Sequence, residues 1–145
     1  MKKFTIIFFL LNIFFTYEAY CKENFFEEAK NKFDEKKLND SKFLFQRNIV
    51  FNPKHSKSYL YLAKIYKLEK NEKKEIKNLK TVILLDPQNE EALFMLIDIE
   101  IEKSNFSEVN NLIKDFRIIC LNLCNQIVTI NKRLKNIEAK NATKQ

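Results

Sequence analysis

The sequence predicts an all-α fold: three helix-turn-helix hairpins stacked into a short right-handed α-solenoid, followed by a C-terminal capping helix. Three observations carry that expectation. The two prolines of the chain, Pro53 and Pro87, mark the two ends of one repeat period, each behind a polar residue, Asn52 and Asp86, that can end one helix and lead into the next. Between them run two apolar stripes at three-and-four spacing, Tyr59, Leu62, Ala63 and Tyr66, then Ile76, Leu79, Val82 and Ile83, and such spacing places side chains on one helical face. The chain has no glycine, which argues against a sheet protein rich in tight turns. Two helices of this length cannot bury both apolar faces against each other alone, so a hairpin with a fixed period is expected to stack on copies of itself.

The first element is an address. Met1-Lys2-Lys3 followed by the apolar run from Phe4 to Phe15 has the layout of a secretory signal peptide over residues 1–21, and the run is shorter than the twenty or so residues a spanning helix needs. Ala19 and Cys21 flank Tyr20 as small residues at a cleavage site, so release after Cys21 is the first expectation. The second is lipidation of Cys21, against which Glu18 and Tyr20 fit a lipobox poorly. Either route leads out of the cytoplasm, to a periplasmic or secreted protein or a membrane-anchored lipoprotein.

The repeats occupy about 22–54, 55–89 and 90–123. Moving back by the period pairs Tyr59 with Phe25, Ala63 with Ala29, Leu79 with Phe45 and Ile83 with Ile49; moving forward pairs Tyr59 with Leu93, Leu62 with Leu96, Leu79 with Ile113 and Val82 with Phe116. In the first copy Glu28 and Lys32 fall on apolar places. Phe26, Ala29 and Phe33 form a better stripe one residue out of phase, which suggests a turn one residue shorter there.

On these residues the chain resembles the tetratricopeptide repeat family. Tyr59, Leu62, Ala63, Tyr66, Leu79, Val82 and Pro87 stand in the places of its pattern, and Phe106, Val109, Ile113 and Phe116 supply the second helix of the third copy. The family's turn glycine is replaced by Lys36, Lys70 and Ser104, and its small residue opening the second helix by Glu75. The resemblance implies that first helices of successive hairpins line a concave surface. It places Lys57, Leu60, Lys64 and Lys67 of the middle copy, and Glu91, Phe94, Asp98 and Ile101 of the third, on that surface as partner-binding residues. A basic half beside an acidic half, with Leu60 and Phe94 as apolar contacts, would register a peptide or helix of complementary charge. The carboxylate-clamp version of the family is not expected, because Lys30, Lys64 and Asp98 hold its middle places.

The third repeat ends on Leu121 where the others have proline. The apolar series then runs on through Val109, Ile113, Phe116, Cys120, Leu123, Ile127, Ile130, Leu134 and Ile137, a heptad seam. Either the helix continues, on the order of 50 Å at 1.5 Å per residue, and pairs with a second copy through its far half, or it turns near Asn122 to Asn125 and folds back as a capping helix over about 125–139. The cap is preferred. The domain then spans 22–141, with a disordered tail over 142–145. Cys120 and Cys124 diverge within a regular helix but suit a disulfide across a corner, or else are small apolar residues of the seam.

The formal net charge is +7, and +6 once residues 1–21 are removed, which favours acidic partners or anionic surfaces in general terms. The lysines of the run from Lys67 to Lys74 alternate with Glu69, Glu72 and Glu75, which reads as a solvated turn with local ion pairs, so nucleic acid is not expected. His55, the single histidine, has no second ligand at metal-binding spacing and reads as a surface residue at a helix start. No phosphate loop can form without glycine. The expectation is therefore a non-enzymatic adaptor or assembly factor for a protein partner, without metal or cofactor. The alternative is a structural protein that self-associates as a homodimer through its last helix. Membrane association through a Cys21 lipid or an uncleaved signal is left open beside both.

Overall fold

The computed structural model describes residues 25–142. The expected leader, its cleavage site and Cys21 lie outside the described residues, as does the tail from residue 143 onward. All described elements are helical. Residues 25–34 form α1. It is followed by α2 (Leu38–Phe51), α3 (Ser56–Leu68), α4 (Glu72–Leu85), α5 (Glu90–Glu102), α6 (Phe106–Ile119) and α7 (Gln126–Ala142).

The three hairpin turns share one backbone solution. Lys36, Lys70 and Ser104, spaced by the same period as the prolines, have φ of 62°, 56° and 57°, the left-handed region that a Cβ disfavours and glycine usually supplies. In each turn two amide N–H groups bond back across the helix end: Lys36 to Phe33 O and Lys37 to Lys32 O, Lys70 to Lys67 O and Asn71 to Tyr66 O, Ser104 to Ile101 O and Asn105 to Glu100 O. This is the paired closure that satisfies the last carbonyls of a helix. The first hairpin is therefore not a residue shorter. Its out-of-phase stripe arises because both Phe25 and Phe26 find ring partners, Phe51 and Phe45, while the turn keeps the common register.

By contact density the chain divides into two compact units, Met1–Asn78 and Leu79–Gln145, the division falling within α4. The core of the first unit is aromatic. Ala29, Leu44, Phe45, Leu62, Ile65 and Tyr66 are buried, with Phe25, Phe26, Phe33 and Tyr61 packed against them. Three buried polar side chains are satisfied inside it: Ser41 Oγ donates to Ala29 O at 2.8 Å, and Asn48 Nδ2 donates to Ser58 Oγ at 2.8 Å. The core of the second unit is aliphatic around one ring, with Leu79, Val82, Leu93, Leu96, Ile97, Ile99, Val109, Ile113, Phe116 and Ile130 buried.

The continuous last helix does not form. α6 stops at Ile119, Cys120 turns to extended backbone, and Cys120 and Cys124 are joined by a disulfide with Cα atoms 5.2 Å apart. Neither glycine nor proline marks this corner. The carboxylate of Glu90, at the start of α5, accepts the backbone N–H of Leu123 at 2.8 Å and of Asn122 at 3.0 Å. It thereby satisfies donors that a continued helix would have paired internally. α7 then runs past the expected end at 139, to Ala142.

Candidate functional site

In the first unit Tyr61 of α3 is the centre of an aromatic shelf. Tyr61 is stacked on Phe45 with centroids 4.9 Å apart and is met edge-on by Phe33 at 5.3 Å and Phe26 at 5.8 Å. Lys64 lies half-buried with Nζ 4.9 Å from the centre of the Tyr61 ring, a cation held over an aromatic face. Lys57 and Lys67 are exposed. Leu60, expected as an apolar contact for a partner, is only 8% exposed, and Ile101 in the second unit only 3%. Both belong to the buried layer. The reason lies in the helices that carry them: α3 buries Ser58, Leu60, Leu62, Ala63, Ile65 and Tyr66, and α5 buries eight of its thirteen residues. α5, apolar nearly all round, is packed on more than one side.

His55 is not the surface residue its position suggested. Its ring meets Phe26 edge-on at 4.6 Å, its Nδ1 lies 2.9 Å from Ser58 Oγ, and burial together with the charge of Lys57 holds its pKa below the ordinary 6.5.

In the second unit Glu91, Phe94 and Asp98 are half-buried along α5, with Phe94 6.3 Å from Phe116. Of the expected acidic surface, Asp98 is engaged within the unit, because Arg133 of α7 donates Nη1 to its carboxylate. Nothing in the sequence signals this pair, since the direction in which α7 returns is set by the corner before it.

That direction has a consequence for the site. Phe94, Asp98 and Ile101 recur one period later as Val128, Lys132 and Lys135, so α7 repeats the register of a first helix. Those three side chains, with Asn131 and Asn136, line an open cavity of about 360 Å³. The surface is cationic with amide donors and one exposed aliphatic side chain, Val128. The unbroken period is the signal in the sequence that points to it, and the expectation of a capping helix leaves that signal unused.

Among the described residues no group of three or more His, Cys, Asp or Glu side chains could hold a metal ion, and no helix is long and apolar enough to cross a membrane.

No protein-family model and no curated protein matches the sequence. Solved structures match the fold. The Yersinia enterocolitica type III secretion chaperone SycD, in complex with a peptide of the translocator YopD, superposes with a TM-score of 0.65 at 16% identity over 85% of this chain and 94% of that one. The second TPR of Spaghetti (RPAP3), bound to the HSP90 peptide SRMEEVD, gives 0.61 at 14% identity over 68% of this chain and 92% of that one. The Sgt2 TPR domain from Aspergillus fumigatus gives 0.66 at 11% identity over 83% of this chain and 82% of that one. At these identities the likeness establishes the fold, which is of the tetratricopeptide-repeat type.

Proposed function

We propose that the protein is a non-enzymatic peptide-binding module, an adaptor or assembly factor that holds an acidic segment of a protein partner against the inner faces of its first-type helices. The observation that carries this reading is the recurrence of register places on α7. Val128, Lys132 and Lys135 line a cavity at the places where α5 has Phe94, Asp98 and Ile101. The first unit by itself offers a second set of cations on α3, exposed Lys57 and Lys67 with Lys64 held over the Tyr61 ring.

The pairing of Asp98 with Arg133 changes the partner that the charges favour. A partner of mixed sign would need Asp98 open, and its carboxylate is already met by Arg133. The lysines instead select carboxylates, with an aromatic or aliphatic residue to contact Tyr61 or Val128. SycD and the Spaghetti domain, each solved with a peptide, support peptide capture as the use of such a surface. Export from the cytoplasm, by a cleaved leader or with a lipid on Cys21, is part of the proposal and rests on the sequence of residues 1–21.

Panning a random peptide library on the protein tests the reading. Selected peptides are expected to be enriched in Asp and Glu beside an aromatic or aliphatic residue. Lys57→Glu with Lys64→Glu, or Lys132→Glu with Lys135→Glu, should weaken them at least about tenfold, the scale on which interface charges act. Enrichment in basic peptides, or binding indifferent to both pairs of substitutions, overturns the proposal.

A further inference from the structure

The second helices carry a pattern that peptide binding on the inner faces does not use. Leu84 near the end of α4 and Ile118 near the end of α6 hold the same register place, one period apart, and are 81% and 82% exposed. Leu121, just past α6, is 86% exposed. Taken by itself, α2 of the first unit repeats the place with Val50 at 77%. Large aliphatic side chains this open, recurring at one place of a repeat, mark an interaction face better than scattered exposure does.

Cations share that face. On α4, Lys80 stands four places before Leu84 and is exposed, so the two share one helical face. On α6, Lys114 stands four places before Ile118, and exposed Arg117 directly precedes it. Residues 76–85 contain no acidic residue, and Asp115 is the single one in 110–121.

We propose that the outer faces of α4 and α6 dock on an anionic membrane surface. The lysines and Arg117 meet lipid phosphates, and Leu84, Ile118 and Leu121 enter the boundary of the acyl chains. The chemistry favours lipid over a folded protein. Each helix offers one or two separate aliphatic side chains among long flexible cations, whereas a protein interface is built on a fully desolvated apolar core depleted of lysine. A headgroup layer accepts isolated side chains, lets lysines reach phosphate with their stems on apolar surface, and attracts each cation near it.

The chain contains no tryptophan, so Ile118→Trp puts a single indole on this face and reports contact there whatever residues 1–21 do. Full-length Ile118→Trp protein is mixed with phosphatidylcholine vesicles, with or without phosphatidylglycerol. The expected result is a shift of emission to shorter wavelength and quenching by brominated acyl chains on the anionic vesicles alone, reversed by high salt. Lys80→Glu with Lys114→Glu and Arg117→Glu in that background should lower vesicle affinity at least about tenfold, and Leu84→Ser should lower it further. The neutral Lys80→Gln/Lys114→Gln variant reads the same loss if charge reversal disturbs the helical signal. An equal shift on both kinds of vesicle overturns the proposal, as does no shift on either. Binding of soluble polyglutamate without any shift on vesicles overturns it in favour of an acidic protein.

Discussion

The two units solve one problem with different materials. The first closes α1, α2 and α3 around stacked rings, with buried Ser41, Asn48 and Ser58 hydrogen-bonded among them and His55 at the edge. The second closes α5, α6 and α7 around aliphatic side chains and one phenylalanine, Phe116. Its last helix is turned back by a disulfide and by Glu90 rather than by the left-handed turn used in the hairpins. A repeat fixes the spacing of helices but leaves the filling of each core free. The first unit is therefore expected to respond to ring geometry and protonation, the second to apolar volume and to the state of its corner.

The largest effect comes from removing the central ring of either core. Phe45 and Phe116 are both fully buried, and Phe→Ala at such a site costs about 3–5 kcal/mol. Hydrogen exchange separates the units. Phe45→Ala should speed exchange mainly in the described residues up to Asn78, and Phe116→Ala mainly in those from Leu79 onward. Equal acceleration throughout by either variant would erase the distinction.

Next is the corner. Cys120→Ser with Cys124→Ser opens a short loop, for which chain-entropy arguments give a loss of about 2 kcal/mol. Helical protection in α7 should fall while α1 to α3 keep theirs. Glu90→Gln should add to the loss, because a neutral amide is a weaker acceptor for the N–H groups of Asn122 and Leu123 than a carboxylate. If α7 keeps its protection in both variants, the buried Ile130 and the Arg133–Asp98 pair hold it without the corner.

This contrast also explains what is legible in the sequence and what is not. Hairpins, their register and the places of Lys36, Lys70 and Ser104 are legible, because one period is imposed on every copy and three copies agree. The length of the first turn is not legible from Glu28 and Lys32, since side-chain pattern competes there with a turn that the backbone alone decides. The resemblance puts Lys57, Lys64 and Lys67 on one surface as partner-binding residues, and the fold leaves Lys57 and Lys67 exposed and Lys64 half-buried. The resemblance does not tell Leu60 and Ile101 from surface contacts, because period alone does not say how many sides of a helix are covered. Tyr61 and Arg133 escape it for a related reason: their roles depend on Phe45 and Asp98, which sit on other helices.

A smaller effect sharpens the comparison of turns. Lys36, Lys70 and Ser104 each hold a left-handed conformation that costs a residue with a Cβ about 1–2 kcal/mol. Glycine there returns part of that against its greater freedom in the unfolded chain. Lys36→Gly, Lys70→Gly and Ser104→Gly should each stabilise by about 0.5–1 kcal/mol in denaturant titrations. The gains should be alike, because the hydrogen bonds that close the three turns are alike. A loss at position 36 alone would show that the first hairpin does differ in solution.

The smallest effect is one of pH, and its window differs between the units. His55 has its folded pKa below the ordinary 6.5, through burial first and the charge of Lys57 second, so the fold prefers the neutral ring. The penalty is absent above that value and grows as pH falls below it, when the unfolded chain takes up the proton more readily than the folded one. Glu90 has its folded pKa below 4.5, chiefly through the backbone N–H of Leu123, so its contribution is present above 4.5 and is lost only as pH falls further. Between about pH 6.5 and 4.5 the first unit should therefore loosen while the second holds. Hydrogen exchange at pH 7 and pH 5, corrected for intrinsic rates, should show the change concentrated around Phe26 and Ser58. His55→Gln, which keeps a polar side chain and removes the titration, should abolish the difference. A pH response that survives that substitution would place the sensitive group elsewhere in the first unit and leave the aromatic core without its titrating member.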